Sequence, residues 1–517
     1  MTSKSNRVPR WSGVLMACTL VAGPVQSDFT AAGEPWRPEL MEVVPTPVPA
    51  QEADWENTLG GVYELALRND RTLAAAAATF RAGQEERAIG RAGLLPIITA
   101  GGTYSDSLSE SRGLFPAGEQ LFPNFTDTTR DVLSWNIRLE QPLFDLPAWF
   151  SFQRGQELSG QARANFTVAQ QNLMVRTAEA YFAVQRAMAN LQASLAEEAA
   201  FQGQLEQVEQ RFDVGLVAIT DVFEARAAFD IATADRLGFE GDVEIALENL
   251  SVITGRGHSR LWQLQDDFPV VDPTPALMDA WVDFALRNNA DIQVARQARQ
   301  VAEQDSRVAT SEHLPRLSLA FSYQDSNVDL VRKQLDAGGQ VTDRSEFPAD
   351  STDRQVALNL TVPIFTGGAT SANRRRAAAR FDTEVQLFDN TVRQVTQNTR
   401  ALHISVRRNV ARTRARAQAI VSSRSALEAA ETGYEVGTRN IVDVLDAQRT
   451  LFSAIRDEAN STIDFVLDVI NLKRQAGMLT PADILELNQW LEQPPPPTAP
   501  PRPRRGNSGA NGGNEGA

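Results

Sequence analysis

Two carboxylates three residues apart, Asp443 and Asp446, are the side chains of this sequence best placed to do chemistry. On a helix that spacing puts both on one face. Brought together from several copies at one axis, like charges resist full ionisation and attract cations, which would make a cation-selective constriction blocked by multivalent cations. The same two acids would serve equally well as a solvated helix face. For catalysis the sequence offers little: it holds no phosphate loop, zinc-protease helix or nucleophile elbow, and His258, His313 and His403 lack ligand-like spacing. Neither an enzyme nor a cofactor is expected.

The elements that must position the two acids occur twice. Val214, Gly215, Asp221, Val222 and Ala225 recur as Val436, Gly437, Asp443, Val444 and Ala447, each 222 positions on. Each copy reads as helix, glycine turn, helix: Gly215 and Gly437 suit the left-handed residue that ends a helix, and Asn440 suits the cap of the next. Further back, Ala66-Leu67-Arg68-Asn69 matches Ala285-Leu286-Arg287-Asn288, and Leu95-Pro96 matches Leu314-Pro315, all 219 positions apart. Residues 55–93 and 277–312 therefore read as sister helices that stop before Pro96 and Pro315.

After each proline the period changes to two. Leu317, Leu319, Phe321 and Tyr323 alternate with Ser318, Ala320, Ser322 and Gln324, more faintly echoed by Ile98, Ala100, Gly102 and Tyr104. Return strands carry Leu133, Trp135, Ile137 and Leu139, then Val356, Leu358, Leu360 and Val362. All four are near transmembrane length with one apolar face, although surface hairpins of a soluble protein would show the same alternation. Polar residues 108–130 and 327–353 read as long exposed loops. Past Pro142 and Pro363, helices over residues 148–212 and 367–433 would each run about 100 Å, matched by two shorter collinear helices of roughly 55 Å. The repeats span residues 55–255, with strand pair 97–144, and 277–490, with strand pair 316–365; residues 256–276 link them.

The 517-residue chain carries a formal charge of −15, which argues against nucleic acid as a partner. Its arginine-rich patches, Arg374 to Arg376 and Arg407 to Arg416, read as solvated helix faces. Residues 1–27 have the basic start, apolar centre and small residues of a signal peptide; Cys18 alternatively suits lipid attachment. Proline-rich residues 28–54 read as an irregular lead-in and residues 491–517 as a disordered tail. No later stretch has the roughly 20 apolar residues of a spanning helix, so strands must make any crossing. Four strands cannot close a barrel, and an open sheet in lipid leaves backbone groups unsatisfied, so copies must share one. Arithmetic alone allows a dimer or a trimer.

The turn stretch, with VGTR and DVLDA after it and VGL and TDV in the first copy, resembles the periplasmic tip of TolC-type outer-membrane channels. The likeness extends over residues 55–490. It implies an α+β membrane protein whose duplicated helix-strand-strand-helix unit forms, as a homotrimer, a 12-stranded transmembrane β-barrel continued by a periplasmic α-helical barrel. It further implies a Gram-negative outer-membrane site, an exit duct for efflux or type I secretion, a periplasmic adaptor, and an inner-membrane pump or ABC exporter. By this resemblance Asp443 and Asp446 form the pore aperture. Tyr434 and Arg439 lock an iris-like gate against Thr220 and Asp221, and Gly215, Leu216, Gly437 and Thr438 form the adaptor-docking turns. Asp221 alternatively caps its own helix, with Glu224 completing a capping box. A coiled-coil adhesin or adaptor is the competing non-channel reading, which leaves the mid-repeat strands unexplained.

Overall fold

The computed structural model describes residues 55–117, 120–265, 267–336 and 339–493. The expected signal peptide, lead-in and proline-rich residues from 494 onward lie outside them. The first repeat runs α1 (Leu59–Asn69), α2 (Arg71–Ala92), β1 (Ile97–Ala117), β2 (Gln120–Phe144), α3 (Leu146–Asp213) and α4 (Ile219–Thr254). A short strand β3 (Gln263–Leu264) follows. The second repeat is α5 (Met278–Asn288), α6 (Ala290–Ser311), β4 (Arg316–Leu335), β5 (Val341–Thr361), α7 (Ala369–Glu435) and α8 (Ile441–Gln475), then α9 (Pro481–Asn488) and β6 (Leu491–Glu492).

The sister helices expected to be continuous are each broken once. Asp70 and Asn289 take extended backbone angles and cap a new helix, accepting from Leu73 N at 2.6 Å and Ile292 N at 3.0 Å. An acid or amide side chain competing for backbone N–H groups is the physical reason for the break. The breaks lie 219 positions apart, so the repeat preserves them.

One antiparallel sheet has the order β1-β2-β4-β5, leaving β1 and β5 as open edges. Its register places Ile98, Leu139, Phe321 and Val356 in a single row across all four strands. Because side chains alternate, the four apolar sets of the sequence then share one face. Their side chains are open to the surroundings at Ile98, Leu133, Trp135, Val356, Leu358 and Leu360. The opposite face carries Thr99, Thr103, Ser134, Ser318 and Ser322.

The loops expected over residues 108–130 and 327–353 are for the most part paired strand. Pairing continues through Leu108 with Thr129, Phe125 with Leu335, and Lys333 with Arg344. These residues lack apolar alternation, but a main-chain ladder requires none, and cross-strand pairs such as Arg112 with Asp127 at 2.6 Å add to it. Strands of 20 to 25 residues exceed the roughly 9–11 that a bilayer needs, so the apolar band occupies only their lower part.

The helices pack side by side, and near the turns α4 also touches α8. Near the sheet, α3 packs between α2 and α6, and α6 also packs on α7; toward the turns, the row is α4, α3, α8 and α7. Helices α3 and α7, of 68 and 67 residues, run the full length. At mid-height a large core surrounds the buried Leu173, Tyr181, Phe182 and Ile470. Tyr181 Oη donates to Trp262 O at 2.7 Å, and Gln185 both donates to that carbonyl and accepts from Leu264 N, which fastens the linker across α3. The disordered tail expected from residue 491 starts later: β6 pairs with β3 and buries Leu491 in this core. Among the described residues no helix is long and apolar enough to cross a membrane.

Candidate gate at the hairpin turns

Both long helices end in the same hydrogen-bonded turn. Leu216 N donates to Arg211 O and Gly215 N to Phe212 O; in the second copy Thr438 N donates to Gly433 O and Gly437 N to Tyr434 O. The pattern needs a left-handed residue, and Gly215 and Gly437 supply φ of +76° and +74°. Leu216 is 74% exposed, with Val214 and Val436 bare beside it, so the turns present apolar side chains to water. Thr438 Oγ1 donates back to Gly433 O at 3.0 Å.

Asn440 caps α8 as expected, accepting from Asp443 N at 2.9 Å. Ile441, Val444 and Leu445 are buried, which turns Asp443 and Asp446 outward into solvent. Asp446 pairs with Arg449 at 2.8 Å. Helix α4 starts differently: its cap is Ala218, which has no capping side chain, and Asp221 stands in the first turn rather than at the cap. The capping-box alternative for Asp221 is therefore set aside. Thr220 Oγ1 instead donates to the Asp221 carboxylate at 3.3 Å.

Tyr434 is half-buried with the Arg211 guanidinium stacked on its ring, 5.0 Å from the centroid. Burial raises the phenol's pKa above its ordinary value; nearby Asp221 pushes the same way and Arg211 opposes. Its Oη is buried, and among the described residues no group lies at full hydrogen-bond geometry to it, with the Arg211 guanidinium the nearest donor. Arg439 folds back over its own turn, its Cγ and Cδ 3.1 Å from where a Cβ on Gly433 would stand. The structure thus gathers Tyr434, Arg211 and Asp221, while Arg439 makes no ion pair among the described residues.

Arg211 was missing from the sequence reading, though a signal for it was present. The 222-residue offset sets Arg211 against Gly433 and Val217 against Arg439. Each copy has one arginine at the turn where its sister has an apolar residue or glycine. The turns also differ at Phe212 against Tyr434, Leu216 against Thr438 and Ala218 against Asn440, but only the arginines change the charge.

A sheet with one apolar face, carried on helices of about 100 Å, is the build of a chain that reaches through a membrane and far beyond it. The chain belongs to the outer membrane efflux protein family, which matches residues 62–256 and 281–478. It is 33% identical over 442 residues to the outer membrane protein TolC of Vibrio cholerae, covering 85% of this chain and 95% of that one. It is also 28% identical over 429 residues to the alkaline protease secretion protein AprF of Pseudomonas aeruginosa, covering 82% and 85%. A solved structure of CusC, described by its folding and transmembrane channel formation, superposes with a TM-score of 0.68 at 18% identity, covering 86% of this chain and 99% of that one. The protein is an outer-membrane efflux or secretion channel, from a family of transport channels.

Proposed function

We propose that three copies close one 12-stranded barrel and continue it as a helical duct whose inner end is the pair of glycine turns. The observation that carries this is the four-stranded sheet with its apolar outer face and two open edges, β1 and β5. Unpaired edges are untenable in lipid. Two copies would give eight strands, a barrel filled by its own side chains, whereas three leave an open lumen.

At the far end Asp443 and Asp446 from each copy form two carboxylate rings, while Tyr434 and Arg439 hold the turns closed against Thr220 and Asp221. The buried Tyr434 Oη, which lacks a well-formed hydrogen bond among the described residues, and the Arg439 side chain folded over the same turn support a lock completed between copies. The bare turns at Gly215, Leu216, Gly437 and Thr438 dock a periplasmic adaptor, and an inner-membrane pump or ABC exporter delivers the cargo. Relatives named for efflux and for protease secretion support either cargo class.

Planar-bilayer recording tests the gate. Asp443→Ala with Asp446→Ala should relieve block by a trivalent cation, and Tyr434→Phe with Arg439→Ser should raise single-channel conductance. Unchanged block would remove the carboxylate rings from the proposal, and unchanged conductance would remove the lock.

A further inference from the structure

The upper halves of the strands carry two arginines on the face opposite the apolar row. One row of the ladder joins Ser107, Arg130, Leu330 and Phe347, and the next on that face joins Ser109, Thr128, Arg332 and Ser345. Side chains alternate, and Ser107 and Ser109 lie an even number of positions from Thr99, so both rows belong to the polar face. Ser107 stands roughly 33 Å along its strand from Ile97, where the sheet leaves the helices.

These two guanidiniums lean together without a counter-charge. Arg130 stands opposite Leu330, which makes Arg332 its diagonal neighbour, about 7–8 Å away and within reach of a long side chain. The Arg332 guanidinium lies 5.9 Å from the centroid of the Phe347 ring, and Phe347 belongs to the row of Arg130, so the side chain turns toward that row. Both arginines are exposed and form no ion pair among the described residues. The acids nearest in sequence, Asp131 and Asp329, face the other way, in a row with Asp106 on the apolar side. On the arginines' own face the closest acid is Asp343, one row further out, where its carboxylate accepts from Ser345 Oγ at 3.1 Å. Arg332 points away from it. Lower on the same face the balance is different, since Arg138 has Glu140 at 3.8 Å.

We infer that Arg130 and Arg332 of each copy form a ring of guanidinium pairs in the lumen, near the end of the barrel away from the helices, and that the ring binds a multivalent oxyanion such as a phosphate or sulfate group. Like charges placed as diagonal neighbours repel, and an anion between them removes that cost. Guanidinium forks match the oxygens of such an anion, and the apolar Leu330 and Phe347 beside them lower the local dielectric, which strengthens the attraction. The anion comes from solution, because lipid lies on the other face of the sheet. The duct then carries opposite charge at its two ends, carboxylates at the glycine turns and guanidiniums at the mouth. The inference rests on the barrel reading above, which turns the polar face inward.

The test uses the full chain in a planar bilayer, with inorganic tripolyphosphate as the probe in both compartments. Tripolyphosphate should block the unaltered channel, and Arg130→Gln with Arg332→Gln should raise the half-blocking concentration about tenfold or more, as charge-assisted contacts are lost. In a salt gradient the same variant should move the reversal potential toward cation selectivity. Arg130→Lys with Arg332→Lys keeps the charge without the fork, and its half-blocking concentration should fall between the other two. An unaltered channel indifferent to tripolyphosphate, a glutamine variant with unchanged block or reversal potential, or a lysine variant as insensitive as the glutamine one would overturn the inference. A chain that forms no channel at all would defeat the barrel reading instead.

Discussion

At the scale of single residues, glycines that look alike in the sequence do different work. Gly437 and Gly477 both sit at left-handed φ, +74° and +70°. A Cβ on Gly437 would meet nothing within 4 Å, whereas one on Gly477 would stand 2.3 Å from Asn288 O and 2.8 Å from Asn289 N. Gly437→Ala therefore carries only the conformational cost, about 1–2 kcal/mol. Gly477→Ala adds a backbone collision at the junction where Asn289 caps α6 and donates to Gln475 O, for a total of roughly 3 kcal/mol or more. Urea unfolding of the two variants should separate them by that difference. Equal midpoints would show that the α8–α6 junction yields freely. The glycine type was legible from sequence, but the neighbour pressed against it was not, because Asn288 is 189 positions away.

At the scale of elements, the repeat made most of the architecture legible: the long helices, the four strands and both turns follow from proline, glycine and alternation. What it concealed were features fixed by contact between distant segments. The strand β6 pairs with β3 across more than two hundred residues, and two residues beside a proline tract give no local sign of it. Similarly, the upper halves of the hairpins have no apolar face and read as loops, although their ladder is continuous. At the hairpin turns, spacing alone exposed the acids, but it did not expose the Arg211 stack on Tyr434, which joins the end of α3 to the end of α7. The linker has its own pH response. Burial, with Arg256 adding to it, holds the His258 imidazole below its ordinary 6.5, while Glu56 opposes. The unfolded chain therefore takes up this proton first, and the stability that neutral His258 contributes above pH 6.5 is lost as pH falls through 6.5 toward the lowered folded value. Unfolding midpoints should drop between pH 7.5 and 5.5, and His258→Gln should flatten that drop; an equal slope in the variant would acquit the histidine.

At the scale of the whole molecule, the sidedness of the sheet decides whether the helical wall can enclose water. The apolar row Ile98, Leu139, Phe321 and Val356 lies on one face, and the side chains one position along each strand, such as Ala357 opposite Ala320, lie on the other. If the first face meets lipid, a cation there must shed its hydration, at about 2–4 kcal/mol near the bilayer midplane. On the second face the same cation remains wet. Val356→Arg or Leu358→Arg should then lower folding stability in lipid vesicles by that amount and deplete the protein from the outer-membrane fraction, while Ala357→Arg should leave both nearly intact. Equal losses at 356 and 357 would mean that both faces are dry, and the sheet would then be a packed plug with no lumen for the helices to extend. The neighbouring positions discriminate because a strand turns its face with every residue, so one step in sequence is the full distance from lipid to water.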